Sequence, residues 1–268
     1  MKISLIILFI LSLKATADLP QMSDETRWLG YFLGWEERNF DYGYGADGEA
    51  IMHYVNKKEV SSHTNVDVRF NVQEKIKGKW VTRKILEDGL QTTDVASKNP
   101  RKPVTHTITV TGDTKVEIMQ TLSGKRIIVK PKILEKKTEN EIRFTMTFRL
   151  PDFFRHMKEE TDKEIKKLMR SDYISMKRAN DGKKVKFKLY EKDIDLADAK
   201  MIPEGATEFE FSTKKIGGKS ISLEQGDDEV GIFEVEQREL FYKGPRVTWI
   251  PDQAKLGEKD AYVSFAIE

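Results

Sequence analysis

Apolar and polar residues alternate with a period of two along most of the chain beyond about residue 64. In segment 66–72, valine or phenylalanine stands at every even position and a polar residue at every odd position. Successive side chains of a β-strand point to opposite faces, so this alternation is typical of a half-buried strand. Further segments of this kind lie between the turn sequences Lys77-Gly78, Gly112-Asp113 and Ser123-Gly124. The pattern predicts a series of antiparallel strands joined by short turns.

Segment 105–111 also predicts which side of its strand faces the core. Threonine occupies every odd position, while the even positions hold His106, Ile108 and Val110. Threonine and the residues at the even positions are both compatible with a strand. Burial of the side that carries Ile108 and Val110 stabilises the fold more than burial of the threonine side would. We expect the threonine side to face solvent and the histidine side to face the core.

The hydrophobic period changes after Pro151 to one that is typical of a helix. The apolar residues between Phe154 and Met169 lie near one side of a helix, and Glu159 stands four residues before Lys163, a spacing that favours pairing on the helix surface. We predict one amphipathic helix from about 152 to 171, which caps the β core. Period-two segments resume after residue 184.

This succession predicts an all-β fold, a mainly antiparallel β-sandwich of about ten to twelve strands with the one helix near the middle of the chain. We expect residues 18–268 to form a single domain. The stretch 172–184 is the best candidate boundary. The alternative is therefore two β domains, 25–150 and 184–268, joined by the helix.

The first 17 residues have the features of a secretory signal peptide. Lys2 gives a positive start, residues 3–13 form an apolar run, and Ala15-Thr16-Ala17 is a small-x-small cleavage sequence. The apolar run is shorter than the roughly 20 residues that span a bilayer. We expect cleavage before Asp18, a secreted or periplasmic location, and no membrane span in the mature chain.

Charge and cysteine content exclude several classes of protein. Loss of Lys2 and Lys14 with the signal lowers the basic count from 46 to 44, which equals the 44 acidic residues. A nucleic-acid-binding domain usually carries a basic excess, so we exclude nucleic acid as a partner. The chain has no cysteine, which excludes disulfides, thiolate zinc sites and cysteine nucleophiles. A secreted chain without cysteine suggests a bacterial envelope or extracellular protein.

Aromatic residues are concentrated between positions 28 and 44, which hold seven of the chain's 26 aromatic residues. Rings at alternating strand positions can form a flat platform on which sugar rings stack, while neighbouring carboxylates accept hydrogen bonds from sugar hydroxyls. On this hypothesis the ligand-binding residues are Trp35, Glu36, Tyr42 and Tyr44. The alternative is that these rings pack into the core as part of the first strand and its turn.

The same stretch offers a weak candidate for a calcium site. Asp41, Asp47 and Glu49 lie in a glycine-rich segment, and calcium prefers six to eight oxygen ligands. The spacing matches neither an EF-hand nor a repeated calcium-binding motif, and an ordinary glycine-rich hairpin explains the same residues. We therefore expect no cofactor, with calcium as the alternative.

No sequence motif specifies a reaction. The chain lacks the G-x-S-x-G, G-x-x-x-x-G-K-[ST] and H-E-x-x-H patterns, so catalytic residues are not identified and binding is favoured over catalysis. The leading hypothesis is a secreted, non-catalytic binding protein for a carbohydrate or cell-envelope component. The alternatives are a glycan-active hydrolase or lyase on the same β-sandwich, and a structural envelope protein that binds another protein. The sequence does not specify an oligomeric state.

Overall fold

A computed structural model describes residues 18–23, 26–56, 59–150, 163–164, 167, 170–188, 202, 204–236 and 246–268. For residues 59–64 and 236 the description covers the backbone alone. The predicted signal peptide, residues 1–17, lies outside the described residues. The predicted helix at about 152–171 also lies largely outside them, although Lys163, Glu164 and Lys167 are helical.

The described residues form 18 strands that are joined in one hydrogen-bonded sheet. Short 3-10 helices lie at Thr26–Trp28 and Lys214–Ile216. The strands are β1 (Tyr31–Glu36), β2 (Phe40–Gly45), β3 (Ala50–Asn56), β4 (Glu59–Ile76), β5 (Lys79–Thr82), β6 (Ile85–Gln91), β7 (Ser97–Lys98), β8 (Val104–Val110), β9 (Thr114–Ser123), β10 (Arg126–Glu135), β11 (Ile142–Arg149), β12 (Tyr173–Arg178), β13 (Lys184–Lys188), β14 (Ala206–Thr213), β15 (Lys219–Gln225), β16 (Gly231–Glu236), β17 (Arg246–Pro251) and β18 (Val263–Ile267).

The all-β prediction is confirmed, but the predicted number of ten to twelve strands is too low. One reason is that the chain after the Lys77-Gly78 turn forms two short strands, β5 and β6, in place of one longer strand. β5 pairs with β4 across the Lys77-Gly78 turn, whereas β6 pairs with β8. The strand partner therefore changes from β4 to β8 after Thr82. A second reason is that the aromatic stretch, predicted as one strand and its turn, forms the two strands β1 and β2.

The sheet consists of two runs of neighbouring strands. One run is β7-β1-β2-β3-β4-β11-β17-β16, with β5 also paired to β4, and the other is β6-β8-β9-β10-β18-β15-β14-β12-β13. A single bridge between Ala206 of β14 and Phe233 of β16 links the runs. The sheet curls so that the two runs approach each other. Tyr42 of β2 contacts Phe265 of β18 with ring centroids 5.4 Å apart.

The core lies between these facing surfaces and is rich in aromatic rings. In β8 the predicted alternation is confirmed on the core side, because His106, Ile108 and Val110 are buried while Thr105 and Thr107 are only half-buried. Thr109 is the exception and is buried as well. The largest fully buried side chains are Trp35, Trp249, Tyr42, Tyr44, Phe32, Phe40, Phe144, Phe148, Phe209, Phe211, Phe233 and Phe265.

Strands from both sides of the candidate boundary at 172–184 pair with each other. β11 pairs with β17, and β10 pairs with β18. The division of the chain into one domain or two stays a prediction. Among the described residues, no helix has the length and apolar character that a membrane crossing requires.

Candidate functional site

The predicted aromatic platform is not at the surface. Trp35, Tyr42 and Tyr44 expose 1%, 0% and 0% of their surface, so a sugar ring cannot stack on them in this structure. Trp35 and Tyr42 lie side by side, with stacked rings whose centroids are 6.1 Å apart. The core interpretation of these three residues therefore replaces the platform interpretation.

Each of the three rings has a specific place in the core. The Trp35 indole N–H donates to the carbonyl oxygen of Pro100 at 3.4 Å, and the Tyr42 hydroxyl donates to Gln120 Oε1 at 2.7 Å. Tyr44 packs against His106 with ring centroids 4.5 Å apart. Burial raises the pKa of both tyrosines above its ordinary value, because the interior disfavours the charged phenolate.

The glycines of this stretch make room for rings on the other side of the strands. A Cβ added at Gly43 would collide with the ring of Tyr31, and one at Gly34 would lie 2.7 Å from Cε3 of Trp28. Trp28 is itself 2% exposed. Glycine at these positions therefore permits aromatic packing on both faces of β1 and β2, which the sequence pattern alone did not indicate.

Glu36 lies at the edge of this region, and its carboxylate contacts two cationic side chains and an indole N–H. Its Oε1 accepts from the Trp28 indole N–H at 3.2 Å, and it lies 3.6 Å from Arg27 Nη1 and 3.5 Å from Lys98 Nζ. These contacts tie Glu36 to the packing around β1. They do not place it beside an exposed ring.

The three residues of the calcium alternative have separate structural roles. Asp41 is buried and forms an ion pair with Arg27. Asp47 Oδ1 accepts from the backbone N–H of Glu49 at 3.0 Å, which closes the turn between β2 and β3. Within the described parts of the chain, no group of three or more histidine or acidic side chains could hold a metal ion. The structure gives the calcium alternative no support.

The best candidate site is a concave groove of about 790 Å³ on the outer face of five adjacent strands. Its floor follows the order β5-β4-β11-β17-β16, in which every neighbouring pair is antiparallel. Arg69, Asn71 and Gln73 of β4 and the odd positions of β11 face this groove, because the even positions between them point towards the core. Its polar lining consists of Arg69, Asn71, Gln73, Thr82, Arg143, Thr145, Thr147, Arg149, Glu204, Glu234, Arg246 and Thr248.

The centre of the groove is a ladder of hydroxyl and amide groups. Register places Thr147 of β11 opposite Arg69 of β4 on one side and Thr248 of β17 on the other. The two threonine hydroxyls are 3.3 Å apart, and Asn71 Nδ2 donates to Thr147 Oγ1 at 3.2 Å. Each of these groups can both hold its neighbours and offer a further donor or acceptor to a ligand.

At one end of the groove, Arg143 is held in a fixed orientation. Its Nε donates to Gln73 Oε1 at 2.8 Å, and its guanidinium lies 4.3 Å from the ring centroid of Trp80. Gln73 in turn donates to Thr82 Oγ1 at 3.2 Å. Burial lowers the pKa of Arg143 from its ordinary value, and the carboxylate of Glu234 acts in the opposite direction. The guanidinium is thus pre-organised by contacts on several sides.

The sequence pattern does not predict this groove, because its residues are far apart along the chain. They come from positions 69 to 250, and each strand alone shows only ordinary polar residues on its solvent side. The one local signal is in β11, where Arg143, Thr145, Thr147 and Arg149 occupy successive outward positions. Only the register between strands shows that these residues meet Arg69 and Arg246.

Comparison with known proteins adds no family to this geometry. No protein-family model matches the chain, and no curated protein has a matching sequence.

Proposed function

We propose that this protein is a secreted, non-catalytic binding protein for a carbohydrate or cell-envelope component, which binds in the groove on β5, β4, β11, β17 and β16. The observation that carries the proposal is the combination of a volume of about 790 Å³ with a lining of hydroxyl, amide and guanidinium groups. Small-molecule sites usually have volumes of roughly 300–1,000 Å³ and a few fixed polar groups.

The polar groups of the groove suit the hydroxyl-rich edge of a sugar. Threonine hydroxyls and the side-chain amides of Asn71 and Gln73 both donate and accept hydrogen bonds, as sugar hydroxyls do. Ile232 and Ile250 are directly opposite each other on β16 and β17, and both line the groove. They supply an apolar surface for the C–H face of a sugar ring. The ligand would be held by hydrogen bonds and this apolar patch, without a stacking platform.

The proposal extends to the architecture and location of the protein. We infer a β-sandwich because side chains from opposite runs of the sheet meet across one core. Phe265 of β18 contacts both Tyr42 of β2 and Phe148 of β11, with ring centroids 5.4 and 5.2 Å apart. Secretion or periplasmic location rests on the signal-like residues 1–17 alone.

A glycan-active hydrolase or lyase is the second candidate function. The observation that favours it is that Glu204 and Glu234 both line the groove, since glycoside hydrolysis commonly uses two carboxyl groups. Incubation of bound glycans with the protein, followed by a reducing-sugar assay, separates the candidates. Binding without release of reducing ends supports the binding protein, and sustained release supports the enzyme.

A glycan array probed with wild type and two variants tests the proposed site. Thr147→Trp places a ring in the centre of the groove and should abolish binding by steric exclusion. Thr107→Trp is the matched control, because Thr107 is also a half-buried strand threonine but lies on β8, away from the groove. Circular dichroism and the unfolding midpoint check that both variants fold. Normal binding by Thr147→Trp, or no binding by wild type, would contradict the proposal.

A further inference from the structure

We propose that the ligand of the groove is an acidic carbohydrate, whose carboxylate or sulfate groups are bound by Arg69 and Arg149. This inference rests on the proposed function and specifies the class of carbohydrate. Four arginines line the groove, against two carboxylates, although the mature chain carries equal numbers of basic and acidic residues. The excess of positive charge is thus local to the groove.

Strand register brings three of these arginines together. Arg149 of β11 lies directly opposite Arg246 of β17. Arg69 of β4 is opposite Thr147, two positions from Arg149, so Arg69 and Arg149 are diagonal neighbours on the same face. Directly opposite side chains have Cβ atoms roughly 4.5–5.5 Å apart, and diagonal neighbours are roughly 7–8 Å apart. Guanidinium groups at this spacing can converge on one anionic group or bind two in succession.

Arg69 and Arg149 are exposed and lack an acidic partner among the described residues, even though Asp67 lies opposite Arg149. Some arginines elsewhere in the described structure do have an acidic partner. Arg83 forms an ion pair with Glu74, and Arg126 with Glu268. The guanidinium groups of Arg69 and Arg149 therefore keep their donors available for a ligand.

Arg149 and Arg246 lie directly opposite each other, where like charges repel, while Asp67 lies opposite Arg149 and Glu236 lies opposite Arg246 on the outer neighbouring strands. Guanidinium forms two parallel hydrogen bonds with a carboxylate or sulfate, and these charge-assisted bonds are roughly twice as strong as neutral ones. A groove also focuses the field of its charges more than a flat surface does. An anionic ligand group beside Arg69 and Arg149 is therefore attracted to both guanidinium groups.

The rest of the lining favours a carbohydrate over a nucleic acid as the source of negative charge. Proteins that bind single-stranded nucleic acid stack bases on exposed aromatic rings. The one aromatic residue in the described lining, Phe233, has its side chain fully buried. Hydroxyl and amide groups such as Thr147, Thr248 and Asn71 instead occupy the floor between the arginines. They match sugar hydroxyls on a chain of acidic sugars.

Matched pairs of oligosaccharides test the inference by calorimetry or biolayer interferometry. One arm compares uronic acid oligosaccharides with their neutral methyl esters, and a second compares sulfated oligosaccharides with their desulfated forms. We expect at least one acidic member to bind about tenfold or more tightly than its neutral match, because the charged group adds charge-assisted hydrogen bonds. This preference should shrink at high salt.

The double variant Arg69→Ala/Arg149→Ala should lose the preference for the acidic member, with about a 10- to 100-fold weaker affinity. Arg69→Lys/Arg149→Lys should retain part of it, since lysine keeps the charge but not the two-pronged geometry. Arg101→Ala is the control, because Arg101 is an exposed arginine outside the groove lining. It should bind as wild type does.

Three results would overturn the inference. If neutral members bind as tightly as acidic ones, the inference fails while the proposed function stands. If Arg101→Ala loses affinity as much as the groove double variant, the attraction is a general surface effect and the inference fails. If no carbohydrate binds in either arm or on the array, the proposed function fails and the inference fails with it.

Discussion

The aromatic stretch at 28–44 and the arginine-lined groove differ in how they are built. The aromatic stretch is local in sequence, and its central rings Trp35, Tyr42 and Tyr44 are buried. The groove is assembled from five strands between positions 69 and 250, and its arginines at 69, 149 and 246 are exposed. The region with the richest local composition supports the fold, and the region with the least local signal has the better geometry for a ligand.

The reason is that a strand divides its residues between two faces. A dense group of aromatic residues on neighbouring strands has a large apolar area, and burying it stabilises the protein. Outward positions gain little from burial, so their polar residues are free to serve binding. A binding surface on a sheet is therefore specified by register, which brings residues such as Arg149 and Arg246 together.

The largest expected effect is loss of stability in Trp35→Ala. Removal of this fully buried ring should lower the free energy of unfolding by about 3–5 kcal/mol, because it leaves a cavity in a packed core. Chemical denaturation measures the change. Tryptophan emission of the wild type should be blue-shifted and protected from iodide at Trp35. A loss below about 1 kcal/mol, or strong quenching at this ring, would show that Trp35 is not core.

Acid should destabilise the protein through His106. This residue is 1% exposed, and neither ring nitrogen has a hydrogen-bond partner in the described structure. Burial lowers its pKa from 6.5 to about 3. Between these values the unfolded chain binds a proton that the folded protein does not, so stability falls as pH falls. His106 alone should cost about 2–3 kcal/mol between pH 6.5 and 4.5, since one proton changes stability by at most about 1.4 kcal/mol per pH unit.

The variant His106→Leu isolates this contribution. It should flatten the pH dependence of the unfolding free energy in that window. His53 adds a smaller slope of the same sign, because burial also lowers its pKa. Glu74 acts at lower pH, since hydrogen bonds from Asn140, Thr138 and Arg83 lower its pKa to about 2. An unchanged slope in His106→Leu between pH 6.5 and 4.5 would contradict the burial of this histidine.

Tyr42→Phe should have an intermediate effect. It removes the donor to Gln120 Oε1, and Gln120 Nε2 already has no partner among the described residues. Leaving the buried amide unpaired should cost about 1–3 kcal/mol. The double variant Tyr42→Phe/Gln120→Leu should recover part of this loss, and a double-mutant cycle of unfolding free energies measures the coupling. Strict additivity of the two changes would mean that the hydrogen bond does not contribute.

The smallest expected effect on stability is that of Arg149→Ala. Arg149 is exposed, with Asp67 opposite it on one strand and Arg246 on the other, so its attraction and repulsion oppose each other. The unfolding free energy should change by no more than about 0.5 kcal/mol. Denaturation at low and high salt measures it. A loss of 2 kcal/mol or more would make Arg149 a structural residue and weaken its assignment to ligand binding.

Particular elements show how far the sequence could predict this structure. The turns at Lys77-Gly78, Gly112-Asp113 and Ser123-Gly124 and the core side of β8 follow from local pattern, and the structure confirms them. The burial of Tyr42 and Tyr44 does not follow, because Gly43 and Gly45 suggest an open backbone while Gly43 actually accommodates the Tyr31 ring. The groove could not be predicted, because period-two alternation identifies the face of a residue but not its cross-strand neighbour.

The most direct test of the central claim compares both regions in one NMR experiment. Saturating the ¹⁵N-labelled protein with its tightest-binding acidic oligosaccharide should shift the side-chain Nε–H signals of Arg69 and Arg149, because the proposed site places the ligand against these groups. The indole N–H signal of Trp35, which donates to Pro100 inside the core, should not move. A shift at Trp35 with unmoved arginine signals, or no shift in either region, would contradict the account.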